Sequence, residues 1–312
     1  MRFRTLVDNV STFSRIIQSV DKLQKKCIIK FTESSMHVIC NHEANEGGIQ
    51  VWSRIKISSL FSDYRIQSTA NNEITMLLHA EALIGALRSA SPNGGGIGGG
   101  GGNVGSLDTD EVIMKLAKKN DQAVLSFEIR GTSRQGKRMK VTQDVRIEVM
   151  KPETLRLNEP MCPEPDIHVI LPPLVKIRTI VDRMKGMSDI LTFQANHSGC
   201  MKLKIESDQA NVETEWKGLA VPEMTRDNLA SQPQTQELSQ EVEKVKDPEE
   251  LFSVDVSIKS FLKFLNSHVV SSTTIACICQ KHCLILYVYI GDVADAGGVL
   301  TYYVPAIIDE AY

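Results

Sequence analysis

The apolar positions change period within the first thirty residues. Met1 to Val7 alternates, which predicts a strand. From Val10 the spacing becomes three and four, through Phe13, Ile16, Ile17, Val20 and Leu23, which predicts an amphipathic helix across Asn9 to Lys26. Short apolar, β-branched runs follow at Cys27 to Phe31, Met36 to Cys40, Ile49 to Ile57, Tyr64 to Gln67 and Ile74 to Leu78, and each predicts a strand. Asn41 to Gly48 and Ala70-Asn71-Asn72 punctuate them as turns. A second helix is expected at Ala80 to Ala90, then a glycine tract at Asn93 to Gly105. Three more strands are expected at Val112 to Ala117, Ala123 to Ile129 and Lys140 to Met150.

Between Lys151 and Pro165 the pattern breaks. Pro152, Pro160, Pro163 and Pro165 cannot donate to a sheet ladder, so the segment reads as an extended connector. The order then repeats. A strand at Ile167 to Leu171 leads into a helix that Pro172 and Pro173 suit at its first turn and that runs to about Lys185. Strands follow at Ile190 to Ala195, Met201 to Ile205 and Val212 to Trp216. Val221 to Glu250 is polar and reads as a disordered insertion. Leu251 to Val256 is a strand, Ser257 to Ser267 a helix capped by Ser257, and three strands close the chain at Thr274 to Cys279, Leu284 to Ile290 and Val299 to Val304. The result is an α+β chain of repeated strand–helix–strands units with four principal helices. Its two expected domains are 1–150 and 166–312, joined by 151–165, with 221–250 as the insertion.

Charge changes the picture. The 312 residues carry a formal net charge of −3. The four helical segments (Asn9 to Lys26, Ala80 to Ser91, Leu171 to Gly186 and Ser257 to Ser267) nevertheless hold eight more basic than acidic side chains. On helical wheels, Arg15, Lys22 and Lys25 fall opposite the first apolar stripe, and Arg88 opposite the second. Lys176 and Arg183 point away from the third stripe, with Arg178 and Lys185 at its margin, and Lys259 and Lys263 face outward on the last helix. Charged outer faces are ordinary on any surface helix. Basic faces concentrated on helices of an acidic chain point instead to a polyanion met by one surface. Aromatics are few, which favours contact with a duplex backbone over base stacking.

Other residues look chemical without forming a site. Gly94 to Gly102 is followed by no Lys-Ser or Lys-Thr, so it reads as a flexible insertion, not a phosphate loop. Cys277, Cys279, His282 and Cys283 lack the paired Cys spacing of a zinc site, and the seven cysteines read as reduced, mostly buried thiols. The seven histidines match no metal or nucleophile–base motif. No nucleophile, general base, metal or cofactor is nominated, so no enzyme is expected. No apolar run reaches a membrane span, and the N-terminal residues do not read as a secretory signal. Ser231-Gln232, Thr235-Gln236 and Ser239-Gln240 match the Ser/Thr-Gln preference of checkpoint kinases. They make Ser231, Thr235 and Ser239 phosphorylation candidates, although a Gln/Ser-rich linker also produces such pairs by chance.

Several stretches carry a resemblance in order along the chain: Met1-Arg2-Phe3-Arg4-Thr5, Val51-Trp52, Asn71-Asn72-Glu73-Ile74, Ala86-Leu87-Arg88-Ser89-Ala90, Pro163-Glu164-Pro165-Asp166 and Ile180-Val181-Asp182-Arg183-Met184-Lys185. Leu171-Pro172, Ser188 and Ala195-Asn196 belong to the same series, and Trp216-Lys217-Gly218-Leu219, Leu286-Tyr287-Val288-Tyr289-Ile290 and Leu300-Thr301-Tyr302-Tyr303-Val304 complete it. The chain resembles the sliding DNA clamps. Within them it is most similar to the HUS subunit family, in its fungal-like form, of the heterotrimeric nine-one-one checkpoint clamp. The resemblance implies a DNA-clamp fold of two domains, each of two βαβββ repeats, with the four helices lining a ring. It implies a non-catalytic, nuclear subunit in DNA-damage checkpoint signalling, the cell cycle and DNA repair. Its partners would be two paralogous subunits, a clamp loader, double-stranded DNA held without sequence preference, and checkpoint and repair proteins. The alternative within the fold is a homotrimeric replication clamp. By analogy, subunits would pair through strand edges at Arg146, Ile147, Glu148, Val149 and Met150, and at Val212, Glu213, Thr214, Glu215 and Trp216.

Overall fold

In the first strand, β1 (Arg2–Val7), Phe3, Thr5 and Val7 are buried on one face, so the alternation is realised. The structure is a computed structural model that describes residues 1–41, 48–91, 108–133, 136–151, 158–208, 210–222, 247–294 and 296–308. Asn9 caps the first helix, α1 (Val10–Asp21), by accepting the Thr12 amide at 3.0 Å. Val10, Phe13, Ile16, Ile17 and Val20 of α1 are buried. The helix stops five residues before the expected Lys26. The Leu23 amide closes it on the Val20 carbonyl at 3.0 Å, and Lys26 already opens β2 (Lys26–Phe31), whose apolar run is claimed by strands on both sides.

There follow β3 (Ser35–Cys40), β4 (Gln50–Lys56), an unexpected single turn α2 (Ile57–Leu60), β5 (Phe61–Gln67), β6 (Ile74–His79), α3 (Ala80–Ala90), β7 (Asp108–Lys119), β8 (Gln122–Thr132) and β9 (Arg138–Met150). β7 and β8 run further than their apolar cores suggested. Asn120 and Asp121 both take positive φ, 48° and 59°, which makes the tight two-residue turn that lets a hairpin extend.

Contacts group the chain into two units. The first is Met1–Glu159 with Asn266–Ser272 and Val288–Tyr302; the second is Pro160–Leu265 with Thr273–Tyr287 and Tyr303–Tyr312. In the first unit the strands lie in the order β4-β3-β2-β6-β9-β8-β7-β1-β5. α1 and α3 pack against each other. The core joins β1, α1, β2 and β5 through rings: Phe3 and Phe31 are 4.6 Å apart, Phe13 and Phe61 5.5 Å. Burying each such ring contributes about 2–3 kcal/mol, far more than helix propensity, so packing fixes where these helices sit.

The second unit begins with β10 (Ile167–Ile170) and α4 (Leu174–Met184). Pro173 is the residue before the first helical turn rather than within it. β11 (Ile190–Ala195), β12 (Met201–Glu206), β13 (Asn211–Trp216), β14 (Phe252–Ser257) and α5 (Ile258–Phe264) follow, with the Ser257 hydroxyl accepting the Ser260 amide. The expected last helix tightens into a 3-10 turn from Leu265 to Val269. β15 (Thr273–Cys279), β16 (Cys283–Ile290) and β17 (Gly298–Pro305) are the last strands among the described residues, and most of β17 is grouped with the first unit. Strands lie in the orders β13-β12-β11-β14 and β10-β15-β16, and α4 packs against α5. Phe193 and Phe261 centre the core, 6.1 Å apart.

Candidate nucleic-acid interface

Burying the apolar stripes of α1, α3, α4 and α5 leaves their opposite sides to water, and those sides carry the basic residues. On α1, Arg15 is exposed, and its Nη2 donates to the Thr12 hydroxyl at 3.1 Å. Lys22 is exposed with Asp21 3.5 Å away, and Lys25 is exposed in the link to β2, past the helix end. Arg88 is exposed in the last turn of α3, where a cation also complements the helix dipole.

In the second unit Lys176 and Arg183 are exposed on α4. Arg178 and Lys185 both turn to Asp182, at 3.8 Å and 3.0 Å. On α5, Lys259 is exposed but bonded to Asp189 at 2.9 Å, and Lys263 is half-buried. The ten sites are therefore unequal. The Asp182 pairs have the three- and four-residue spacing of helix neighbours, which the sequence shows, but the Lys259 pair is invisible to wheel projection, because Asp189 lies outside α5 and meets Lys259 only through the fold. Pairs this exposed are worth about 0.2–1 kcal/mol, so an incoming phosphate can compete for each cation.

The strand edges divide in the same way. Pairing along β9 changes partner at Arg146. Arg138 to Arg146 pairs with β8, and Ile147 to Met150 pairs with Leu78 to Thr75 of β6. The predicted residues Ile147, Glu148, Val149 and Met150 thus already use one edge within the chain. The edge of Arg138 to Val145 that faces away from β8 has no strand partner among the described residues. A partner switch inside one strand leaves no local sequence signal beyond its length. Among the described residues β13 ends its sheet and pairs only with β12, which leaves the other edge of Val212 to Trp216 without a strand partner there. Its outer charges are held in place: Lys202 bonds Glu213 at 2.9 Å and lies 3.4 Å from Glu215. The Lys217 ammonium, then the Cys200 thiol, keep the Glu215 carboxyl below its ordinary range.

Behind the open β9 edge, the Glu128 carboxylate of β8 is nearly enclosed by cations. It bonds Lys115 and, at 3.0 Å, Lys140, with Arg130 at 3.6 Å. The hydrogen bonds from Lys115 and then Lys140 outweigh the cost of its burial and hold its pKa at about 2.

Among the described residues, no group of three or more His, Cys, Asp or Glu side chains could hold a metal ion, and no helix is long and apolar enough to cross a membrane. The glycine tract and the three Ser/Thr-Gln pairs lie outside the described residues.

The family model for Hus1-like protein matches residues 1–308. The checkpoint protein hus1 of Schizosaccharomyces pombe is 31% identical over 311 residues, covering 99% of this chain and 100% of the relative. The checkpoint protein HUS1 of Homo sapiens is 26% identical over 314 residues, 98% of this chain and 100% of the relative. Among solved structures, the proliferating cellular nuclear antigen of Entamoeba histolytica superposes with a TM-score of 0.66 at 13% identity, covering 98% of this chain and 99% of the other, which shows a shared sliding-clamp fold. With a family match over nearly its whole length and the clamp fold beneath it, the chain belongs to the Hus1-like protein family.

Proposed function

We propose that this chain, a non-catalytic subunit of a checkpoint sliding clamp, joins two related but different subunits in a nuclear ring that encircles duplex DNA. The family match across residues 1–308 carries the reading, and it favours the heterotrimer over a homotrimeric replication clamp. Arg15, Lys22, Lys25, Arg88, Lys176, Arg178, Arg183, Lys185, Lys259 and Lys263 would meet backbone phosphates without reading bases. In the clamp plan, domains 1–150 and 166–312, joined by 151–165, each supply two of the helices. Neighbouring subunits would add to the open edges of β9 and β13, since an unpaired strand edge offers a ready ladder of donors and acceptors. The clamp loader, checkpoint kinases acting at Ser231, Thr235 and Ser239, and repair enzymes are the partners this role calls for.

Native mass tests the assembly. The chain purified alone should be a monomer and, co-expressed with two clamp paralogues, should enter a one-to-one-to-one ring. A stable self-trimer would refute the heterotrimeric reading, and a monomer that joins neither paralogue would refute the ring.

A further inference from the structure

Cys162 and Cys283 lie 121 positions apart in the chain, yet their sulfurs are 3.4 Å apart. Cys283 opens β16 at one end of the hairpin whose other strand, β15, ends in Cys279. The Cys279 thiol donates to the Pro163 carbonyl at 3.5 Å. Asp166 anchors the segment on the same strand: its amide bonds the Ile278 carbonyl at 2.8 Å, and its carboxylate accepts the Gln280 amide at 2.8 Å. The fold therefore holds Cys162 against a buried thiol without a covalent bond. Cys162 is half-buried, whereas Cys279 and Cys283 are buried, so an oxidant from solvent meets Cys162 first. Met161, beside it, is 96% exposed, so the approach is open.

We propose that Cys162 and Cys283 form an oxidisable dithiol, a modification site at which a peroxide staples the segment before β10 to the β15–β16 hairpin. Cys162 gives its proton to solvent and its thiolate attacks one peroxide oxygen. The O–O bond breaks, water leaves after protonation, and Cys162 becomes a sulfenic acid. The Cys283 sulfur then attacks the Cys162 sulfur. The S–O bond breaks, the departing hydroxide takes the Cys283 proton as a second water, and the S–S bond forms. Two thiols are oxidised by two electrons while one peroxide becomes two waters. The sulfurs must close from contact to about 2.0 Å.

The order of events follows from the surroundings. The bond to Cys162 pulls the Cys283 thiol down, but the Cys279 contact and burial outweigh it and hold it at about 12. Cys283 therefore stays a thiol until a sulfenic acid appears beside it. Two other thiols make internal controls. Burial pushes Cys27 up to about 12, with no exposed thiol beside it. Cys200 is half-buried, but its sulfur bonds the Glu215 carboxylate at 3.3 Å.

The test is peptide mapping of the full chain after hydrogen peroxide, with free thiols blocked by N-ethylmaleimide and digestion without reductant. The expected product joins the Cys162 and Cys283 peptides, lacks two hydrogens and separates on dithiothreitol. Cys200 should be alkylated instead. The oxidised chain should also melt a few degrees higher, because the bridge closes a loop of more than a hundred residues in the unfolded state. Cys162→Ser, at a half-buried position, should abolish both the bridge and the melting shift. Cys162 advancing to sulfinic acid while Cys283 stays alkylatable after unfolding would overturn the proposal, as would Cys162 bridged to Cys279. Because the readout is made on the wild-type chain, a poorly folding Cys283 variant does not weaken it.

Discussion

Replacing Arg15, Lys25, Arg88, Lys176 and Arg183 together by alanine removes five exposed cations for which no ion pair is seen among the described residues. Each cation that touches a phosphate contributes about 0.9 to the slope of log affinity against log salt concentration, so five contacts amount to a slope of about 4–5. Near physiological salt that corresponds to a loss of up to ~10³-fold in duplex affinity. The paired set, Arg178, Lys185 and Lys259, should contribute less per residue. Each must first leave Asp182 or Asp189, which costs about 0.2–1 kcal/mol, and alanine there leaves a carboxylate facing the DNA. The assay is a salt titration of open-ended duplex binding by the assembled ring, so that threading and release are free. The five-residue variant should flatten the slope on every duplex sequence, and the three-residue variant should flatten it less. A five-residue variant with wild-type slope and affinity would refute the idea that these helix faces meet the backbone.

Two further outcomes follow from the interior. Glu128→Gln should destabilise the chain by about 1–2 kcal/mol, below the roughly 3 kcal/mol implied by a shift to about 2, because Lys115 and Lys140 are partly in water. The folded pKa is depressed, so this stability is present above the unfolded value near 4.5 and is lost as pH falls through about 2. Denaturant midpoints measured across that window should differ least at its acid end, and a constant difference would refute the linkage. Gly199→Ala should cost on the order of 3 kcal/mol, since Gly199 has a φ of +80° and a Cβ there would lie 2.3 Å from the Leu219 carbonyl oxygen; an unchanged melting curve would refute this.

Local periodicity made much of this protein legible from sequence alone. The stripes of α1, α3, α4 and α5, the succession of strands along the chain, and the basic character of the helices' outer sides depend on neighbours three or four positions apart, or two apart in strands, and such spacing is visible in one dimension. Contacts between remote segments decided the rest. α1 ends at Asp21 because β2 is needed between β3 and β6, a demand that comes from strands not yet in view at Lys26. Asp189 reaches Lys259 across seventy positions, and β9 exchanges β8 for β6 in mid-strand. Cys162, in a proline-rich stretch that read as a linker, meets Cys283 because Asp166 ties that stretch to β15. Composition determined that the helices would be basic. That Asp189 takes up Lys259, which strand edge stays unpaired and which thiols meet were decided by the tertiary structure, because each depends on register and packing between residues with no local relation in the chain.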